Sequence, residues 1–93
     1  MTYADLQDAL LVLGFGERAT LREIKARHRE LVKRHHPDVG DTTEPEVIRQ
    51  IIAAYRVILD YVAEYRFSFA EDEFYEQNPE ERFRQQFSDF YNR

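Results

Sequence analysis

The residues of this 93-residue chain best suited to chemistry crowd into a short stretch: His28, His35 and His36 beside Arg22, Lys25, Arg29 and Lys33, followed by Pro37 and Asp38. Three histidines could hold a metal, but their spacing matches no zinc signature, and no cysteine is present to supply a thiolate or a disulfide. No glycine-rich phosphate loop, no nucleophile beside a base and no pair of carboxylates in a plausible pocket is visible, so the pattern argues against an enzyme and names no catalytic residue, metal or cofactor. What remains is recognition. A row of cations on one helical face steers toward an acidic surface or is simply solvated. His36, Pro37 and Asp38 have the composition of a helix-ending turn.

The elements that position these groups follow from capping and periodicity. Thr2 with Asp5, Thr20 with Glu23 and Thr43 with Glu46 each place a hydroxyl three residues ahead of a carboxylate, which is the capping-box spacing. Behind the first, Tyr3, Leu6, Leu10 and Leu13 form a stripe that stops at Gly14 and Gly16. Behind the second, Leu21, Ile24, His28, Leu31 and His35 share a face, with Arg22, Lys25, Arg29 and Lys33 on another and Arg27 and Arg34 beside them. Pro37 ends that helix, because proline lacks the amide donor and forces its predecessor out of helical geometry. Residues 38–43 read as a loop. Behind the third, Ile48, Ile51, Tyr55, Ile58 and Val62 form a stripe broadened by Val47, Ile52, Ala54 and Leu59, and the helix is expected to run on through Tyr61, Val62 and Tyr65 toward Arg66. The expected fold is all-α: an antiparallel helical hairpin with a short first helix packed across it, plus a C-terminal helical extension.

With His36-Pro37-Asp38 directly after a basic amphipathic helix and before a second long helix, the chain resembles the J-domains of the DnaJ family. The resemblance covers roughly residues 3 to 60: Tyr3, Leu6 and Leu13-Gly14 are similar to the family's first helix, Ala19-Thr20-Leu21 with Glu23-Ile24-Lys25 to the entry of the second, and Ala54-Tyr55 with Val57 and Asp60 to the third. It implies a co-chaperone that binds a DnaK-type heat-shock chaperone and stimulates its ATP hydrolysis. The contact would be made by His36, Pro37 and Asp38 with Arg22, Lys25, Arg29 and Lys33. On that reading Asp38 offers a charge-assisted bond to an arginine of the partner, His36 orients the loop, and Pro37 lowers the entropy lost on docking.

Some positions depart from the family's pattern. His28 stands where an aromatic residue is common, Glu30 reverses a charge within the expected contact face, Val39 follows the tripeptide where a basic residue is common, and the fourth-helix signature is absent. The competing expectation is a degenerate J-like scaffold module that stimulates nothing.

Residues 1–66 are expected to form the J-domain and 67–93 an acidic and aromatic extension. Asn78-Pro79-Glu80-Glu81 reads as a helix start, and Phe83, Phe87 and Phe90 or Tyr91 recur at helical spacing. So many exposed aromatics suggest docking onto the domain or a partner subunit, onto a downstream segment or onto an unfolded client. J-domains often open longer proteins, so a continuation past Arg93 is compatible with the resemblance. The net charge of −5 and the acidic entrance to the third helix, Glu44-Pro45-Glu46, disfavour nucleic acid. No apolar run approaches the roughly 20 residues that span a bilayer, and a cytoplasmic setting without membrane attachment is expected.

Overall fold

In a computed structural model, the structure describes residues 1–35 and 45–91, with the side chains of Asp89 and Tyr91 excepted. The described residues are all-α and contain five helices: α1 (Tyr3–Leu13), α2 (Leu21–Arg34), α3 (Pro45–Ala63), α4 (Glu71–Gln77) and α5 (Pro79–Tyr91).

Two of the three capping boxes are formed as their spacing predicts. The Thr2 hydroxyl accepts from the Asp5 amide while the Asp5 carboxylate accepts from the Thr2 amide, and Thr20 and Glu23 repeat the arrangement at α2. Each box satisfies amides that the first helical turn leaves without partners. The third box, on Thr43, lies outside the described residues. At the other end of α1, Gly14 takes a left-handed conformation (φ 77°), and the Phe15 amide donates to the Leu10 carbonyl at 2.8 Å. This is the Schellman geometry, in which a residue without Cβ adopts the left-handed turn at little cost.

The core is small and formed by α1, α2 and α3 alone. Ala9 and Leu13, Ile24, and Ile51, Ala54 and Ile58 are buried, with Leu6, Leu10, Phe15, Leu31, Val47, Tyr55 and Val62 packed around them. α1 packs mainly on α3, as does α2. The expected stripes are therefore correct in period but rotated at their edges. Tyr3 is 73 % exposed while Ala9 is buried, and Leu21 and Ile52 are also exposed. The first helix turns a small residue, Ala9, into the core, where a large ring would hold the helices apart.

α3 does not run on to Arg66. It ends at Ala63, where the Tyr65 amide donates to the Val62 carbonyl in a tightened last turn. The Tyr65 ring then packs between Tyr61 and Phe67, with ring centroids 5.9 Å apart on both sides. Beyond a non-helical stretch, α4 and α5 pack on each other and on no helix of the core. The molecule measures 67 × 30 × 17 Å, with a radius of gyration of 19.1 Å. A compact domain of this length would have about 12 Å. Asn78 joins the two helices: its amide and its side chain both donate to the Phe74 carbonyl, ending α4, and its own carbonyl accepts from Glu81 in the first turn of α5. Pro79 opens α5, where its missing amide costs nothing.

Candidate functional site

α2 carries the cations singled out from the sequence. Arg22, Lys25, Arg29 and Lys33 are all exposed, and among the described residues none of them is paired with a carboxylate. Their spacing of three and four residues puts them along one side of the helix, away from buried Ile24. The helix that presents them is fixed at its start by the Thr20 box and at its end by the His35 amide donating to Leu31.

Two further contacts hold α2 against the rest of the fold. The Arg27 guanidinium donates to the Leu13 carbonyl at 2.8 Å and lies over the Phe15 ring at 5.1 Å. It thus satisfies a carbonyl that the end of α1 would otherwise leave open, and it ties α1 to α2. Arg27 stood beside the basic stripe in the sequence, and nothing in its spacing distinguished it from the solvent-facing cations. His28 stacks face to face on Tyr55 of α3, with centroids 3.7 Å apart and planes 7° from parallel. Burial holds its imidazole below the ordinary histidine pKa, so at neutral pH it packs as a neutral aromatic ring. The departure from the family pattern at His28 is therefore conservative in packing.

Glu30 is likewise accommodated. Its carboxylate accepts from Arg34 at 2.8 Å and lies 3.9 Å from Arg27, so its charge is met within its own helix. The four cations of the exposed face have no part in that pairing.

His36, Pro37 and Asp38, and with them Val39, lie outside the described residues. The structure brings together Arg22, Lys25, Arg29 and Lys33, and it describes the ends of the helices that flank the tripeptide: α2, capped at His35, and α3, opening at Pro45. Among the described residues no group of three or more His, Asp or Glu side chains could hold a metal ion. A shallow groove of about 540 Å³ between α1 and the end of α3 is lined mainly by apolar side chains, among them Leu6, Leu10, Phe15, Ile58 and Val62. No histidine, serine or lysine lines it. No described helix is long and apolar enough to cross a membrane.

An all-α domain whose capped, basic second helix leads into His-Pro-Asp defines a class of small helical domain. The chain belongs to the DnaJ-domain family, whose model matches residues 8–66. It is similar to an uncharacterised 19.0 kDa protein of a Sinorhizobium species, 44 % identical over 54 % of this chain and 30 % of that protein. It is also similar to the chaperone protein DnaJ of Ruminiclostridium cellulolyticum, 39 % identical over 61 % of this chain and 16 % of the relative. A curved DNA-binding protein of Coxiella burnetii is 37 % identical over 60 % of this chain and 18 % of its own length. The matched region thus spans less than a third of each of these relatives. No solved structure matches the chain.

Proposed function

We propose that this chain is a co-chaperone that docks on a DnaK-type heat-shock chaperone through the exposed face of α2 and through His36, Pro37 and Asp38, and stimulates the chaperone's ATP hydrolysis. Residues 1–66 are the working domain on this reading, and 67–93 an extension of it. The observation that carries the reading is the row of four exposed cations, none paired among the described residues, on a doubly fixed helix that leads into the tripeptide. Family membership supports it, and the pairing of Glu30 within α2 removes the main electrostatic objection. Arg22, Lys25, Arg29 and Lys33 attract an acidic surface and speed encounter, an effect that weakens with salt. Asp38 supplies the directional bond. No proton or phosphoryl group passes through this chain; the chemistry belongs to the partner.

The test is single-turnover ATP hydrolysis by a DnaK-type chaperone of the same cell. The wild type should accelerate it, and His36→Gln and Asp38→Asn should each abolish the acceleration with helicity unchanged. Lys25→Ala with Arg29→Ala should raise the concentration needed for half-maximal effect by about thirtyfold, since each of the two lost charge-assisted contacts removes on the order of 1 kcal/mol. Wild type that stimulates no chaperone of its cell at saturation would overturn the proposal in favour of a scaffold module that keeps the fold alone.

A further inference from the structure

The basic face of α2 has a counterpart on the same chain. From Glu71 to Glu81 the sequence carries Glu71, Asp72, Glu73, Glu76, Glu80 and Glu81 and no cation, and among the described residues only Glu81 is paired with one, Arg84 at 3.2 Å. Among the described residues the four acids of α4 thus carry negative charge that no cation meets, as the four cations of α2 carry positive charge that no carboxylate meets. Apolar surface accompanies both. Phe74 of α4 is half exposed, Leu21 at the start of α2 is 44 % exposed, and Phe69 between α3 and α4 is 94 % exposed. Within one copy the two surfaces do not meet: the Tyr61, Tyr65 and Phe67 rings pack in series at the end of α3, and α4 and α5 lie clear of the core.

We infer that a second copy of this chain is the partner of these surfaces: the acidic α4 segment of one copy lies along the α2 cations of the other, and reciprocally. Reciprocal docking closes after two copies and uses both complementary surfaces of each. Charge sets the register, because Asp72 and Glu76 recur at the four-residue interval that separates Lys25, Arg29 and Lys33. Such a dimer covers the face assigned above to the chaperone, so a DnaK-type partner would have to displace it. That regulatory consequence rests on the proposed function; the dimer itself does not.

Sedimentation equilibrium of the full chain at about 0.05 M and about 0.5 M salt tests the inference, since the higher concentration shortens the screening length severalfold. The mass is expected to double at low salt and to return to that of the monomer at high salt. Asp72→Lys with Glu76→Lys should be monomeric at both, as should Lys25→Glu with Arg29→Glu, and mixing the two variants in equal amounts should restore the dimer. All these positions are exposed, and far-UV circular dichroism reports whether each variant keeps its helices. A wild type that stays monomeric at low salt overturns the inference, and so does a dimer that survives both salt and the substitutions, which would place association on the aromatic rings. Variants that stay monomeric on mixing also overturn it. ATPase stimulation by the Asp72→Lys, Glu76→Lys variant separates the two proposals, because it leaves α2 intact. A dimerising wild type beside a variant that stimulates nothing refutes the co-chaperone reading and leaves the dimer standing.

Discussion

The bundle of α1 to α3 and the pair α4 and α5 put their apolar residues to opposite uses. The bundle buries six residues, among them Leu13 at 1 % exposure, whereas no side chain of α4 is buried and Phe83, Phe87 and Phe90 of α5 remain exposed. The difference lies in composition, since α4 and α5 are poorer in apolar residues, and in geometry. Three helices around one axis surround Leu13 and Ile58 on every side, while two helices joined at Asn78 offer one seam and leave their outer faces to solvent. The bundle keeps itself folded; the pair is a surface.

Core truncation should expose this contrast most strongly. Leu13→Ala removes the most buried large side chain of the bundle and should cost about 2–5 kcal/mol, enough to unfold much of a domain this small. Phe83→Ala removes a larger side chain, yet its ring is 62 % exposed and touches chiefly Phe87, so the loss should stay near 0.5 kcal/mol in the monomer. Chemical unfolding monitored by circular dichroism compares them directly. Equal losses would mean that α5 is part of the core.

The bundle was legible from the sequence because its signals are local. Capping boxes at Thr2 and Thr20, the glycine stop at Gly14 and the helical period of Ile51 and Ile58 are each written within a turn or two of chain. The candidate site was legible as far as it is a stripe on one helix, since Arg22, Lys25, Arg29 and Lys33 share a face by spacing alone. What escaped depends on contacts between elements. Ala9 looks like any small residue until α3 is placed against it, and Arg27 looks like its basic neighbours until the end of α1 comes within 2.8 Å. α4 escaped for a different reason: Ala70 provides no capping side chain, so a seven-residue helix begins there without a start signal. The end of α3 was misplaced because Glu64 and Tyr65 are compatible with helix, and only the packing of Tyr65 between Tyr61 and Phe67 accompanies the turn away from it.

The junction of α1 and α2 gives the next largest effect. Arg27→Met keeps much of the stem but removes the donor to the Leu13 carbonyl, and with it the cation over Phe15. The expected loss is about 1–2 kcal/mol, larger than a surface arginine would give, because the carbonyl is left without its partner. Arg82 supplies the matched comparison, since it lies 5.8 Å from the Tyr75 ring but accepts no such task at a helix end. Arg82→Met should change the unfolding midpoint hardly at all. A comparable loss at both positions would show that the pair depends on cation–ring contacts as the bundle does.

Caps come next. Thr20→Ala should cost about 1 kcal/mol by opening the box at the start of α2. Ala70→Ser adds at α4 the hydroxyl that its start lacks, and should raise the helicity of the C-terminal pair without moving the midpoint of the bundle. If that substitution stabilises the whole chain, the two regions unfold as one unit and the contrast between them fails.

The smallest effects are titrations, and their order in pH separates the contributions inside the bundle. Burial lowers the folded pKa of His28 below the 6.5 of the free side chain. The unfolded chain then binds the proton more readily, so stability is full above 6.5 and declines as pH falls through the lowered folded value. Replacing His28 with Phe preserves a ring against Tyr55 and should remove this decline while leaving the neutral-pH midpoint nearly unchanged. The capping carboxylates respond at lower pH. Glu23 is held below its free value of 4.5 by the Thr20 amide and then the Thr20 hydroxyl, and Asp5 below 3.8 by the same groups of Thr2. Their stabilisation is present above those free values and is lost as pH falls through the folded ones. Thermal unfolding from pH 7 to pH 3 should therefore show two declines in the wild type, only the lower one in His28→Phe, and a weakened lower one in Thr20→Ala. A first decline that persists without His28 would mean that a group other than the imidazole on Tyr55 carries it.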